Sequence, residues 1–258
     1  MNLSQCLAAT AIACSFALNP AAHAAERLDH INENKILRVG TPGDYRPFAI
    51  KDGSSYQGHD VDVVQAMADV LDVQIEWVDT SWPDLLDDLH ADQFDVAVGG
   101  ITRTAARIGQ ADMLPGYAPF SKVALIRATD VERFKSRSDL DQPDVKIIKN
   151  PGGTNEAYVL AHLKNASVQT HDKNAEIPAL IANGKGDVMI TETYEALHYI
   201  ADDERLATAD IQPPLTPVNE LGFLLPADDP DYLRVMRFAW DLLEQRGTLD
   251  QTNDRWLR

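Results

Sequence analysis

The sequence predicts an α/β protein with two lobes. Short apolar runs, which are typical of strands, alternate with apolar residues repeated at helical spacing. This alternation occurs once before about residue 121 and again after it. No Gly/Ser-rich linker separates the halves, so we expect lobes joined by strands that cross between them. The chain of 258 residues is long enough for one large or two small domains.

The first half predicts three strands and two helices. Strands are expected at 36–39, 73–77 and 94–98, because these segments are short, apolar and followed by polar residues or glycine. Apolar residues at helical spacing predict a helix over 61–71. A second helix should open at Pro83, since proline suits the first helical position. Strands separated by helices predict a parallel sheet.

The second half repeats the pattern. We predict strands at 145–148, 187–190 and 221–225. Helices are expected at 156–163, at 177–181, from the end of the 187–190 strand through Ile200, and at 232–243. The resulting division is a targeting segment at 1–24, a first lobe of 25–121 with 218–258, and a second lobe of 122–217.

The first 25 residues predict a secretory signal peptide. They contain no Asp, Glu, Lys or Arg, and an apolar run from Leu7 to Leu18 precedes small residues at 22–24. This segment lacks the usual positive charge near its start. Cys6 and Cys14 both lie within it, so an exported chain cleaved after Ala24 would have no cysteine for disulfides, thiol catalysis or metal binding.

The charge of the chain limits its partners. Lys and Arg total 23 while Asp and Glu total 40, which gives a formal net charge of −17. Nucleic acids and anionic lipid surfaces need a basic face, so neither is expected as a partner. An anionic ligand would need local cations in an unfavourable overall field.

Five segments with chemically distinctive residues each follow one of the predicted strands. Ligands in open α/β sheets bind beyond the carboxyl ends of strands, so these segments predict one cleft between the lobes. The segments are 43–48, which includes Tyr45; 80–83, which includes Trp82; 99–102, which includes Gly100 and Thr102; 150–155, which includes Asn150, Thr154 and Asn155; and 191–195.

Two of these segments are suited to binding anions. Thr102 and Arg107, just after Gly99 and Gly100, would offer a hydroxyl, free backbone N–H groups and a guanidinium to a carboxylate, although most arginines are solvated surface charges. The Gly-rich turn at 150–155 enters a helix and presents N–H groups to an anion, although it is equally compatible with a simple tight turn. Trp82 is compatible with either a core position or a ligand wall.

Glu192 and Glu195 form the pair with the clearest chemical potential. One interpretation is that they only stabilise the positive end of a helix dipole. The other assigns one to an ammonium group and the other to general-acid catalysis, which requires burial to raise its pKa. No HExxH motif, GxSxG motif or P-loop ending is present, and we therefore predict no metal and no cofactor.

Taken together, these motifs resemble the bacterial extracellular solute-binding proteins of family 3, which are receptors for polar amino acids with a type II periplasmic-binding-protein fold. The resemblance covers nearly all of 27–258. Within this family, the segments 80–83, 150–156 and 187–196 resemble the exported cyclohexadienyl dehydratases, which act on prephenate and arogenate.

The resemblance implies a role for each matching residue. Glu195 matches the general acid, and Glu192 stands where an acidic residue, usually aspartate, lies near the amino or keto end of the substrate. The other matches are active-site positions at Lys122, Trp82 and Asn150, and a carboxylate clamp at Thr102 and Arg107. The additional methylene of Glu192 and the segment 103–106 before Arg107 depart from the family pattern.

The implied activity is a decarboxylating dehydration in the periplasm. It would convert prephenate to phenylpyruvate, or arogenate to phenylalanine, with release of water and carbon dioxide. The partner is then a small anionic substrate, and no cofactor, metal or nucleic acid is needed. The alternative is a non-catalytic amino-acid receptor, for which alone an ABC permease would be a partner. The sequence does not predict the oligomeric state or the preference between the two substrates.

Overall fold

The structure is a computed structural model that describes residues 20–227 and 229–258, with side chains from residue 27 onward. The predicted signal peptide of 1–24, with Cys6 and Cys14, lies outside the described residues except for the backbone of 20–24. Within the part described, no helix is both long and apolar enough to span a membrane.

The described chain contains ten α-helices and fifteen strands, together with two 3-10 turns at Ala128–Asp130 and Asn174–Glu176. The helices are α1 (Pro20–Asn34), α2 (His59–Leu71), α3 (Leu85–His90), α4 (Ala105–Ile108), α5 (Arg137–Leu140), α6 (Gly153–His162), α7 (Ile177–Ala182), α8 (Thr193–Asp202), α9 (Pro230–Gln245) and α10 (Thr248–Trp256). The strands are β1 (Ile36–Thr41), β2 (Asp44–Tyr45), β3 (Ala49–Asp52), β4 (Ser55–Gln57), β5 (Gln74–Asp79), β6 (Val96–Ala97), β7 (Asp112–Met113), β8 (Tyr117–Phe120), β9 (Lys122–Arg127), β10 (Lys146–Lys149), β11 (Ser167–Thr170), β12 (Val188–Glu192), β13 (Leu206–Thr208), β14 (Asn219–Leu221) and β15 (Leu224–Leu225).

Each lobe is built on a five-stranded sheet. The first sheet has the order β5-β1-β6-β15-β7, and the second has the order β11-β10-β12-β9-β13. The first three strands in each order are parallel, whereas the fourth strand, β15 in the first sheet and β9 in the second, runs antiparallel to its neighbours. The predicted α/β class with two lobes is confirmed, with mixed rather than purely parallel sheets.

Apolar side chains on both faces of each sheet form the cores. In the first lobe α2 and α9 pack on the sheet through Val64, Met67, Met236 and Trp240, all of which are buried. In the second lobe α6 packs on one face through Val159, while α7 and α8 cover the other face.

The chain crosses between the sheets twice. It leaves the first sheet through β8 and enters the second directly at β9, and it returns through β14, which pairs with β8. These crossings support our proposal that the lobes comprise 25–121 with 218–258, and 122–217.

Three predicted elements differ from the structure. The helix expected to open at Pro83 begins at Leu85, because residues 82–84 form a turn. The helix expected from Glu156 begins at Gly153, so the glycine-rich turn is shorter than predicted. The strand expected at 221–225 is divided into β14 and β15, which pair in different sheets.

Candidate active site

A cavity lies between the two lobes. All nine residues predicted to bind substrate border it, together with Gly152, Gly153 and Asn174. The nine are Tyr45, Trp82, Gly100, Thr102, Arg107, Asn150, Thr154, Asn155 and Glu192.

The strands explain why distant residues meet at this cavity. Gly100 and Thr102 follow β6, Asn150 follows β10, and Glu192 is the last residue of β12. Parallel strands place their carboxyl ends at the same edge of a sheet. Each sheet therefore contributes one wall of the cavity.

Arg107 provides a buried positive charge in the first lobe. Its Nη1 donates to the backbone oxygen of Thr102 at 2.8 Å, and the Thr104 hydroxyl caps the short helix α4 that carries it. No carboxylate among the described residues forms an ion pair with this guanidinium, although its neighbours enclose it. Burial lowers the pKa of Arg107 to about 10, which still leaves it charged at neutral pH. An anionic ligand is the partner that such a group requires.

The glycines after β6 do not offer the free N–H groups that the sequence predicts. The backbone N–H groups of Gly99 and Gly100 donate to Oδ2 of the buried Asp60, at 2.9 and 2.8 Å. Oδ1 of Asp60 accepts from the Tyr117 hydroxyl at 2.5 Å and lies 2.8 Å from Nδ1 of His59. This carboxylate therefore holds the turn in shape, and the expectation that these amides bind the ligand is wrong.

Lys122, which was predicted to be catalytic, does not itself border the cavity but contacts three residues that do. Its Nζ donates to Asn155 Oδ1 at 2.5 Å, to Glu192 Oε1 at 2.9 Å and to Thr154 Oγ1 at 3.1 Å. Lys122 and Glu192 are directly opposite on the antiparallel strands β9 and β12, which accounts for their contact.

Burial opposes the charge on both members of this pair. It lowers the pKa of Lys122 to about 7, an effect that the nearby Arg107 reinforces, and raises the pKa of Glu192 to about 8. The pair is neutral overall whether the proton resides on the amine or on the carboxyl group. Arg107 therefore sets the positive charge of the cavity.

Glu195 is fully buried behind the cavity, in the first turn of α8. Its Oε1 accepts from Asn174 Nδ2 at 2.6 Å, and its Oε2 accepts from the Thr191 hydroxyl. Burial raises the pKa of Glu195 well above its usual range, and the nearby carboxyl groups of Glu192 and Asp44 act in the same direction. These effects exceed the opposing hydrogen bonds, so the environment favours the protonated, uncharged form of the carboxyl group.

Aromatic side chains close the first-lobe side of the cavity. The rings of Tyr45 and Trp82 meet edge to face with centroids 5.7 Å apart, and Trp82 Nε1 donates to Asp44 Oδ1 at 2.9 Å. Burial raises the pKa of Asp44 to about 6. Trp82 thus borders the cavity and also packs against the core.

The lobes are closed on one another. Oγ1 of Thr102 lies 3.2 Å from Oγ1 of Thr154 across the cleft. At the rim, Arg46 Nη1 of the first lobe lies 3.0 Å from Asp202 Oδ2 of the second. Among the side chains described, no group of three or more His, Cys, Asp or Glu is placed to hold a metal ion.

The pattern of the bacterial extracellular solute-binding proteins of family 3 matches residues 37–258. The chain belongs to this family. Among its family 3 relatives, a cyclohexadienyl dehydratase of Pseudomonas aeruginosa is 36% identical over 257 residues, which cover 99% of this chain and 94% of that protein.

Two solved structures extend the comparison within family 3. An ancestral amino acid-binding protein, described as a precursor of cyclohexadienyl dehydratase, superposes with a TM-score of 0.82 at 30% identity and covers 90% of this chain and 100% of that one. A variant of an ancestral cyclohexadienyl dehydratase is 42% identical with a TM-score of 0.54, and covers 90% of this chain and 96% of that one.

The sequence did not single out three residues of this site, which are Asp44, Thr191 and Asn174. Asp44 and Thr191 lie within segments that were noted, but their roles depend on contacts with Trp82 and Glu195. Asn174 lies outside every noted segment and reaches Glu195 from a 3-10 turn. No local pattern marks such a contact, since it joins residues from separate elements.

Proposed function

We propose that this protein is a periplasmic cyclohexadienyl dehydratase. It converts prephenate to phenylpyruvate, arogenate to phenylalanine, or both, and releases water and carbon dioxide. The observation that carries the proposal is the fully buried carboxyl group of Glu195, whose pKa burial raises, behind a cavity bordered by an arginine that has no carboxylate partner among the described residues. The 36% identical dehydratase supports it.

The substrate is held by its negative charge. Arg107 and Thr102 bind one carboxylate from the first lobe through charge-assisted hydrogen bonds. The backbone N–H groups in the first turn of α6, at Gly153–Asn155, bind from the second lobe, and Lys122 holds Thr154, Asn155 and Glu192 in place through its three hydrogen bonds. Two anion-binding walls suit a substrate that carries two carboxylates.

The chemistry requires one proton from the protein. Glu195 transfers its proton to the ring hydroxyl, and the C–O bond breaks as water leaves. The bond between the ring and its carboxylate breaks in the same process, so that carbon dioxide leaves and its bonding electrons complete the aromatic ring. Glu195 is left as a carboxylate and regains a proton from solvent when the lobes open.

Exclusion of water keeps the acid ready for this step. Tyr45 and Trp82 enclose the ring, and closure of the lobes removes bulk water from the cavity. A well-placed general acid accelerates a reaction by roughly 10²–10⁴-fold. The proposed reaction uses side chains and backbone groups alone, without a cofactor.

The second candidate is a non-catalytic amino-acid receptor that delivers its ligand to an ABC permease. It is favoured by the TM-score of 0.82 with an ancestral amino acid-binding protein. A receptor has no use for a protonated carboxyl group behind the ligand, which is why we place the dehydratase first.

The decisive experiment incubates the purified protein separately with prephenate and with arogenate. Phenylpyruvate is followed by ultraviolet absorbance and phenylalanine by chromatography, and calorimetry measures binding of free amino acids. We expect product formation with many turnovers per protein. Absence of product together with tight binding of an amino acid would replace the dehydratase by the receptor.

A further inference from the structure

Asn174 contacts both the acid and the cavity. It lies in the 3-10 turn before α7, is 1% exposed, and borders the cavity. Its Nδ2 donates to Glu195 Oε1 at 2.6 Å and lies 3.4 Å from the backbone oxygen of Asp44 in the opposite lobe. Asn174 therefore contacts the acid and both lobes when the cleft is closed.

The hydrogen bonds that Glu195 accepts favour its ionised carboxylate form over its protonated form. Asn174 and Thr191 each donate to one of its two oxygens. Donors to a carboxyl group favour its ionised form, whereas burial favours the neutral form. The donors therefore become more effective as the proton departs, when negative charge develops on Glu195.

The other polar atom of Asn174 has no partner. Oδ1 is buried and accepts no hydrogen bond from any residue that the structure describes. A buried acceptor without a donor is unfavourable, by about 1–3 kcal/mol in general. Since Asn174 borders the cavity, the bound ligand is the group that can supply a donor to this oxygen.

We propose that Asn174 positions Glu195 and stabilises its carboxylate as the proton is transferred, while Oδ1 accepts a hydrogen bond from the departing hydroxyl group of the substrate. The hydroxyl O–H then points at Oδ1, which leaves a lone pair of its oxygen for the proton of Glu195. The part that concerns the substrate rests on the proposed dehydratase activity. The part that concerns Glu195 does not.

Several charged or titratable groups also face Glu195. They are Glu192 on β12, Asp44 on β2, Lys122 on β9 and Tyr199 on α8. None of them donates a hydrogen bond to Glu195 within the described structure. Replacing Asn174 by Leu removes the donor without adding charge. The variant therefore changes the titration of Glu195 while these groups stay in place.

The test compares N174L with T191V, which removes the other donor but leaves the cavity lining intact. Infrared spectra recorded across pH follow the carboxylic C=O band of Glu195, which is assigned by its loss in E195Q. We expect the titration of this band to move to higher pH in both variants. We expect kcat with prephenate to fall about 10-fold or more in both, and KM to rise in N174L alone.

The infrared and kinetic readouts separate the two proposals. The role of Asn174 would be overturned if the band of N174L titrated as in the wild type. If N174L does not fold, the same criterion applies to N174A. An unchanged KM in folded N174L would overturn the contact of Oδ1 with the substrate. A shifted band in a protein that forms no product would refute the dehydratase and leave the positioning of Glu195 supported.

Discussion

Burial of single polar groups gives this site its chemistry. Arg107 and Glu195 are both removed from water, but the consequences are opposite because their ordinary pKa values lie on opposite sides of neutral pH. The guanidinium remains charged although burial lowers its pKa, whereas burial raises the pKa of the carboxyl group and favours its neutral form. We propose that the site thus pairs an anion receptor with a proton donor.

Replacement of Arg107 by Met should weaken substrate binding while it increases the stability of the fold. We expect KM for prephenate to rise by roughly 10–100-fold, since a charge-assisted hydrogen bond to the substrate is lost. The free energy of unfolding should rise by about 1 kcal/mol because a buried charge without a carboxylate partner is removed. Steady-state kinetics and denaturant titration check this, with R234M, on an exposed arginine, as control. A less stable R107M with unchanged KM would contradict the assignment.

Asp44 should make folding stability depend on pH. Its pKa is raised from 3.8 to about 6 by burial, so the folded state holds a proton between these values that the unfolded chain has lost. The contribution of Asp44 to the free energy of unfolding is complete below pH ~4 and is lost as the pH rises through 6. The loss is at most about 3 kcal/mol. We expect D44N, which keeps an acceptor for Trp82, to reduce this slope in denaturant titrations, and the exposed-site control D52N to retain it. An equal slope in all three proteins would refute the shift.

The sequence predicts residues of this site where they follow strands, and misses those that act across elements. Trp82, Arg107, Thr154 and Glu192 were predicted because strand ends converge at one edge. The contact of Asp60 with the N–H groups of Gly99 and Gly100 joins residues about 40 positions apart. Propensity and periodicity carry no signal for such a contact, so the glycines were assigned to the ligand instead.

At the scale of elements, the start of α6 approaches the backbone of the first lobe closely. Gly152 precedes this helix with φ 73°, and a Cβ placed on it would lie 2.7 Å from the backbone nitrogen of Pro83. Pro83 belongs to the turn before α3 in the first lobe. Glycine at this position allows the helix that carries Thr154 and Asn155 to reach the cavity.

The variant G152A should therefore hinder closure. We expect kcat/KM for prephenate to fall by about 10-fold or more, because the added methyl group meets backbone of the opposite lobe. The control is G184A, whose glycine also has positive φ (70°) but has nothing within 4 Å of a Cβ. Both should lose about 1–2 kcal/mol of stability from backbone strain, but G184A should keep wild-type kcat/KM. Equal kinetics in G152A and G184A would contradict the role of the close approach.

Elements with a strong pattern were predicted and weakly patterned ones were not. The runs in β1, β10 and β12 are apolar and buried, and each was predicted within about two residues. The β2–β4 hairpins are short and largely exposed, so alternation gives no signal there. The split of 221–225 into β14 and β15 depends on pairing with β8 and β7, which only the tertiary structure determines.

At the scale of the whole molecule, we propose that this acidic protein binds its anionic substrate by enclosing it. The net charge of −17 opposes binding at the surface. Closure of the lobes replaces that field by the local charge of Arg107 and by the N–H groups of α6. The same closure removes water from Glu195, so that ligand capture and activation of the acid depend on one movement.

The most direct test of this account is the rate of phenylpyruvate formation from prephenate across pH, by the wild type and by E195Q. The wild type should lose activity as the pH rises through the pKa of Glu195, because only the protonated acid can donate. E195Q should be slower by roughly 10²–10⁴-fold while it unfolds at the wild-type temperature. A folded E195Q protein that forms phenylpyruvate at the wild-type rate would show that the proton comes from elsewhere.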